Sequence, residues 1–340
     1  MLGCGVSRVA PDPDVDEGIL ERDALLLAPD ELVEKLAVGS GCASSLRPRV
    51  WPLLLGLVPR SASEAAREAA AAENADEYRR LCALGESGVE QSHVRVIDAD
   101  VPRTDEVRQG LLQPEDLAVL RSMLLAHCIA VPRWGYYQGM CDLAAVTLGI
   151  AAGRDPALAF WLLRGVLGAS ESNWAHADLA GVWRQARTVD EVLHVVDPKL
   201  SRRIRSLEGR PPPVAHGAAK GSVPLAFLFG ALFLNLKREF ADAEQACRCW
   251  EVCWAHGGHL NLLVVAAYVR TRRRTVLHKS TRSVAELHQI YGGRAEPPVR
   301  LLAAPLLRCA RAWSARAAVR RALARKMDEG VGELEGPQSG

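Results

Sequence analysis

Apolar residues in this chain recur at the spacing of a helix and almost nowhere at the spacing of a strand. Leu117, Leu120, Leu124 and Cys128 step by 3, 4 and 4 residues, which places them on one helical face. Similar periodicity returns over residues 159–167 and 189–196 and from Pro224 onward, and no convincing period-two run interrupts it. Ser61 followed by Glu64 has the spacing of a capping box, and the Ala-, Glu- and Arg-rich stretch up to Leu81 has the composition of an exposed helix. Residues 207–222, with Pro211-Pro212-Pro213 and several glycines, cannot be helical throughout. The pattern predicts an all-α protein of two helical subdomains divided near residues 207–222.

With 49% hydrophobic and 24% charged residues among 340, the chain can bury a large core, which excludes a wholly disordered protein. Lys and Arg number 42 against 40 Asp and Glu, a net charge of +2, so bulk charge does not point to nucleic acid as partner. That near-neutrality averages two opposed ends. Residues 12–34 are acidic, and residues 300–326 carry seven Arg and one Lys with no acidic residue among them. Eight Trp residues are expected as core anchors.

Nine cysteines and an opening Met1-Leu2-Gly3-Cys4 without a secretory pattern suggest a reduced, cytoplasmic setting. The apolar stretches 224–236 and 260–269 fall short of the roughly 20 residues that span a bilayer.

Three clusters stand out from the helical background. Arg47-Pro48-Arg49-Val50-Trp51-Pro52-Leu53-Leu54-Leu55-Gly56 puts Trp51, Leu54 and Leu55 on one face, with Gly56 as a stop. Val96-Ile97-Asp98-Ala99-Asp100-Val101-Pro102-Arg103-Thr104-Asp105 reads as a polar loop that sets Arg103 among three carboxylates. Taken alone, it is also what a solvated turn with an internal ion pair looks like. In Gly135-Tyr136-Tyr137-Gln138-Gly139-Met140, two glycines flank an aromatic pair and a carboxamide, suggesting a close backbone approach or the packed start of a helix.

In order and spacing these clusters resemble the TBC domain of Rab GTPase-activating proteins. Ile97, Asp100, Arg103 and Thr104 match an I-x-x-D-x-x-R-T motif, and Tyr136, Gln138, Gly139 and Met140 match Y-x-Q-G-M. Arg47, Trp51 and Gly56 fit the opening motif. Ala159-Phe160-Trp161, Lys237-Arg238-Glu239-Phe240 and Trp250-Glu251 follow in order, so the likeness covers residues 46–293. One departure is Phe229-Gly230, which stands where the family often has Arg-Trp.

The resemblance implies a domain over residues 38–293, preceded by an acidic leader (1–37) and followed by a basic amphipathic tail (294–340). It implies that Arg103 and Gln138 act as catalytic fingers, supplied in trans to a Rab-family small GTPase in its GTP form. Asp100, Thr104, Ile97, Tyr136, Gly139 and Met140 would support them, and Arg47, Trp51, Gly56, Arg238, Glu239 and Trp250 would be structural. No cofactor of its own is expected, since GTP and Mg²⁺ come with the GTPase. A non-catalytic TBC module that binds Rab or a scaffold is the alternative.

Two other clusters invite chemistry. Cys247, Cys249, Cys253, His256 and His259 suggest a metal site, but small buried cysteines on a core helix account for them, and no metal is expected. The run Arg270-Thr271-Arg272-Arg273-Arg274 lacks interleaved aromatics and reads as a solvated helix end rather than a nucleic-acid surface. In the tail, Leu302, Leu306, Cys309, Trp313 and Ala317 fall at helical spacing among arginines. Residues 300–326 therefore read as a helix packed on the domain or, alternatively, as a basic amphipathic contact with an anionic membrane.

Overall fold

Helices form where the apolar period is strong, and side-chain caps fix the starts of several of them. The computed structural model describes residues 28–104, 112–151, 153, 155–175, 178–210, 223–257, 259–291 and 301–328. The helices are α1 (Pro29–Val38), α2 (Arg47–Leu54), α3 (Glu64–Leu84), α4 (Gln91–Asp100), α5 (Pro114–Ala130), α6 (Met140–Ile150), α7 (Pro156–Ala169) and α8 (Ala180–Val196). They continue as α9 (Pro198–Leu207), α10 (Phe229–Phe233), α11 (Ala243–His256), α12 (Leu260–Thr271), α13 (Arg273–Leu277), α14 (Val284–Tyr291), α15 (Ala303–Ser314) and α16 (Ala317–Asp328). An isolated parallel bridge pairs Phe240 with Leu301.

Side-chain oxygens of Ser63, Asp155, Asp197 and Asp242 accept backbone N–H bonds at the starts of α3, α7, α9 and α11, satisfying donors the helices leave open. The cap of α3 is therefore Ser63, two residues beyond the Ser61 expected from spacing.

Helices α3 to α7 form one group, in which α5 packs against α3, α4, α6 and α7. The second group surrounds α8 and α12: α8 packs on α9, α10, α12 and α16, and α15 lies along α12 and α11. Helix α2 touches α7 on one side and α11 on the other, and a single apolar core runs through both groups. Of the eight tryptophans, Trp51, Trp174, Trp250 and Trp313 are buried and the rest half-buried, so all act as anchors.

Several local expectations are corrected. Residues 96–103 are not a loop: α4 runs to Asp100, and Val101–Arg103 adds a 3₁₀ turn. On α2 it is Val50, Trp51 and Leu53 that are buried, while Leu54 and Leu55 are only half-buried. The apolar run from Pro224 is not one helix. It forms a 3₁₀ turn, the five-residue α10 and a left-handed pair, Asn235 (φ 51°) and Leu236 (φ 60°). This run is buried on nearly every side, so periodicity does not govern it. Its exposed carbonyls are satisfied from outside by Asn173 Nδ2, which donates to Leu232 and Phe233 O, and by Trp250 Nε1, which donates to Asn235 O.

The tail is two helices, α15 and α16, with Ala315 and Arg316 between them. Leu306, Leu307, Ala310, Trp313, Val319 and Leu323 pack inward, whereas Leu302, Cys309 and Ala317 of the expected stripe are exposed. The apolar side of the tail is thus occupied by the protein's own core. Asp105, most of the 1–37 leader and of the 207–222 break, and the end of the tail lie outside the described residues.

Candidate functional site

Helix α4 presents Val94, Ile97 and Asp100 to the interior at three-residue intervals, so a carboxylate takes a position that the pattern reserves for an apolar side chain. Burying a charge there is costly unless it is fully bonded. Asp100 Oδ1 accepts from Arg103 Nη2 at 3.1 Å, and Oδ2 accepts from Tyr136 Oη at 2.8 Å and from Gly139 N at 2.9 Å. Charge-assisted bonds of this kind contribute about 1.5–3 kcal/mol each.

The 3₁₀ turn swings Arg103 back over Asp100, leaving its side chain 63% exposed. Asp98 turns the other way, to Arg121 Nε at 2.6 Å, so of the two described carboxylates it is Asp100 that holds Arg103. Ile97, fully buried, and Thr104, also buried, bracket the turn.

The carboxamide segment is fixed from both sides. Gly135 has φ 59° and lies so close to His93 that a Cβ would sit 2.3 Å from the ring. Tyr136 N donates to His93 Nδ1 at 3.3 Å. Burial, then Cys141 and Asp100, push the Tyr136 phenol far above its ordinary value, so it stays protonated and donates. Gly139 has φ 100°, and a Cβ there would meet Leu234 at 3.3 Å. Met140, buried completely, starts α6. Gln138 stands exposed between the two residues whose bonds end on Asp100.

Behind this segment, Arg238 Nε donates to buried Asp142 at 2.6 Å, and Tyr137 packs against Trp174 and Phe233, with ring centroids 6.1 and 6.0 Å away. The Gln138 turn therefore rests on residues of both helical groups.

The remaining motif residues form a second cluster. Arg47 donates through Nε to Glu251 at 2.6 Å and through Nη2 to Glu244 at 2.9 Å. Glu251 also accepts from Trp51 Nε1 and Cys42 N, each at 2.9 Å. Burial pushes the Glu251 carboxyl up, with Arg47, Trp51 and Cys42 opposing it. Burial also works against ionised Glu244, but Arg47 and Arg248 outweigh it and hold that carboxyl low. Trp250 and Trp254 pack around Trp51, and Gly56 leaves α2 at φ 67°. Glu239 accepts from Leu301 N through its carbonyl. Phe229, at the Phe229-Gly230 departure, stacks between Trp183 and Phe233, filling the place with aromatic packing.

The structure thus brings Asp100, Arg103, Tyr136, Gln138 and Gly139 together and sets Arg47, Trp51 and Trp250 apart in a separate cluster. His93 and Asp142 carry no signal of their own in sequence. Only the two glycines and the nearby Lys237-Arg238-Glu239-Phe240 block hint that something must press there. Among the described residues no three His, Cys, Asp or Glu side chains are arranged to hold a metal ion. No helix described is long and apolar enough to cross a membrane.

Comparison with known proteins agrees with this architecture. The chain is 28% identical over 260 residues to TBC1 domain family member 17 of Homo sapiens, a match spanning 73% of this chain and 37% of that protein. It is 26% identical over 262 residues to the GTPase-activating protein gyp1 of Schizosaccharomyces pombe, spanning 68% of this chain and 48% of that protein. It thus spans well under two thirds of these relatives. The crystal structure of the Ypt/Rab-GAP domain of Gyp1p shares its fold, with a TM-score of 0.64 and 18% identity over 88% of this chain and 93% of that one. The model of the Rab-GTPase-TBC domain matches residues 44–278, from the Arg47 cluster past the Arg103 and Gln138 segments to just beyond α13, and the chain belongs to that family.

Proposed function

We propose that this chain is a GTPase-activating domain for Rab-family small GTPases, with Arg103 as arginine finger and Gln138 as glutamine finger. The observation that carries this reading is Asp100: one buried carboxylate accepts from Arg103 and from the residues on either side of Gln138, so two exposed groups 35 residues apart in sequence share one support. The names of related proteins, among them GTPase-activating protein gyp1, support the same assignment.

GTP hydrolysis needs charge stabilisation at the β/γ-phosphate oxygens and an oriented water. A forked, permanently charged guanidinium suits the first need, and a carboxamide, with one acceptor and two donors, suits the second. Asp100, Tyr136 and Gly139 position these groups without touching nucleotide; Ile97, Thr104 and Met140 pack beneath them. GTP and Mg²⁺ enter with the GTPase, so the chain needs no cofactor of its own and works in the cytoplasm on membrane-borne partners.

Single-turnover GTP hydrolysis across a panel of Rab proteins tests the reading. At least one Rab is expected to respond, and Arg103→Ala is expected to lower its stimulated rate by about 10³–10⁵. Binding of a GTP-loaded Rab with no acceleration by the wild-type chain would establish the non-catalytic alternative.

A further inference from the structure

The arginine run 270–274 and the basic tail are far apart in sequence and adjacent in the fold. Arg270 and Arg273 both reach Asp197, the cap of α9, at 3.4 and 2.7 Å, and Arg270 lies over the Trp313 ring at 5.3 Å, beside the α15–α16 elbow. Helix α9 packs on α13, and Arg203 of α9 donates to Thr281 O in the turn that follows α13. These contacts gather Lys199 and Arg202 of α9, Arg274 of α13, and Lys279 and Arg282 of the turn, all exposed, onto neighbouring elements, with Arg316 and Arg320 at the elbow.

The acids bonded to these elements among the described residues already have partners. Asp197 is taken by Arg270 and Arg273, Asp190 and Glu191 by Arg205, and Glu208 by Arg210, while Glu286 accepts from the Arg282 and Ser283 backbone. Charge is therefore left over locally in a chain that is nearly neutral as a whole.

What the surface lacks decides its partner. No Phe, Tyr or Trp lies on α9, α13 or residues 278–283, so there is nothing for bases to stack on. The exposed large apolar residues, Val38, Leu84, Val96, Val223 and Leu302, all lie elsewhere in the chain, so there is no apolar centre of the kind a protein interface is built around. The cavity of about 390 Å³ lined by Ser170, Asn235, Trp250 and Cys253 includes none of these cations. A plane of anionic headgroups needs none of these features and responds to clustered cations alone.

We propose that α9, α13 and the 278–282 turn form a docking surface for an anionic membrane. The contact is electrostatic: the apolar sides of α15 and α16 are buried in the core, and the tail adds only the elbow arginines. The helices under this surface pack on α8 and α12, whereas the fingers are carried by α4 and the entry to α6, which pack on α5 and α7. The proposal stands whether or not the chain activates a GTPase.

Co-sedimentation of the full chain with vesicles tests it. Wild type is expected to bind phosphatidylcholine vesicles containing 30 mol% phosphatidylserine (about a third anionic lipid) and not pure phosphatidylcholine, and to lose binding as salt rises. Each cation contributes roughly five-fold to partition, which is about 1 kcal/mol. Lys199→Glu with Arg202→Glu should therefore lower it about 25-fold or more, and Lys279→Glu with Arg282→Glu, on a different element, should do the same. Arg49→Glu with Arg80→Glu makes the same change in net charge away from this surface and should retain most of the binding. Four results would overturn the proposal: no preference of wild type for anionic vesicles, wild-type binding by both surface variants, an equal loss in the control pair, or a lesion that affects single-stranded oligonucleotide binding alone.

Discussion

Two buried carboxylates organise this molecule, and they treat their arginines in opposite ways. Glu251 sits in the core with Arg47, whose side chain is 4% exposed, and every partner of the pair is protein. Asp100 is also buried, at 7% exposure, but its Arg103 stays 63% exposed. The first arrangement uses up the guanidinium to hold the fold together. The second orients a guanidinium and leaves its charge for something else.

The comparison is sharpest when each arginine is removed. Arg103→Ala should cost about 10³–10⁵ in stimulated GTP hydrolysis, or roughly 4–7 kcal/mol of barrier, with thermal unfolding nearly unchanged because a largely exposed ion pair contributes about 0–1 kcal/mol. Arg47→Ala should do the reverse. It strands Glu251 in the core at a cost of about 3–5 kcal/mol in stability, readable by chemical denaturation, while hydrolysis per folded molecule holds. A stability loss from Arg103→Ala equal to that from Arg47→Ala would erase the distinction.

A pH titration separates the two regions next. His127, at the end of α5 near Trp134, has its pKa pushed down to about 4 by burial and then by Arg164. The unfolded chain takes up that proton near pH 6.5, so stability is full above that value and falls as pH drops toward 4, by about 3 kcal/mol across the window. His127→Phe should flatten this slope in a pH series of unfolding curves.

Two smaller effects bear on the support beneath Arg103 and Gln138. Asp100→Asn keeps the shape but gives up the charge, and should cost about 2 kcal/mol of stability together with roughly ten-fold in stimulated rate. Gly139→Ala forces a side chain into left-handed backbone against Leu234, and should cost about 1 kcal/mol, read as a shift in thermal midpoint.

Much of this was legible in sequence. The periods of α5, α7 and α8 follow from apolar spacing, while residues 211–222 of the expected break lie outside the described residues. The loop expected over residues 96–103 failed because Asp98, Asp100 and Pro102 outweighed the pattern. Val94 and Ile97 start an inward face that Asp100 completes, and no hydropathy rule treats a carboxylate as core. The run from Pro224 failed for the opposite reason: residues buried on all sides have no period to read.

In the site, Arg103 and Gln138 were marked by resemblance, and Asp100 was expected only to orient the Arg103 turn. Its bonds to Tyr136 and Gly139 join segments that sequence spacing does not connect. The role of His93 is visible only once Gly135 is seen pressed against it.

The Arg47–Glu251 pair spans 204 residues of chain, and that distance has a meaning in time. At a synthesis rate of about 5–20 residues per second, roughly 10–40 s pass between translation of the arginine and of its carboxylate. For that interval Arg47 and Trp51 have been made and their partner has not, so a ribosome-bound chain holds an open apolar face around Trp51. Cells short of chaperone capacity should therefore lose this protein as a nascent chain before they lose it as a folded one.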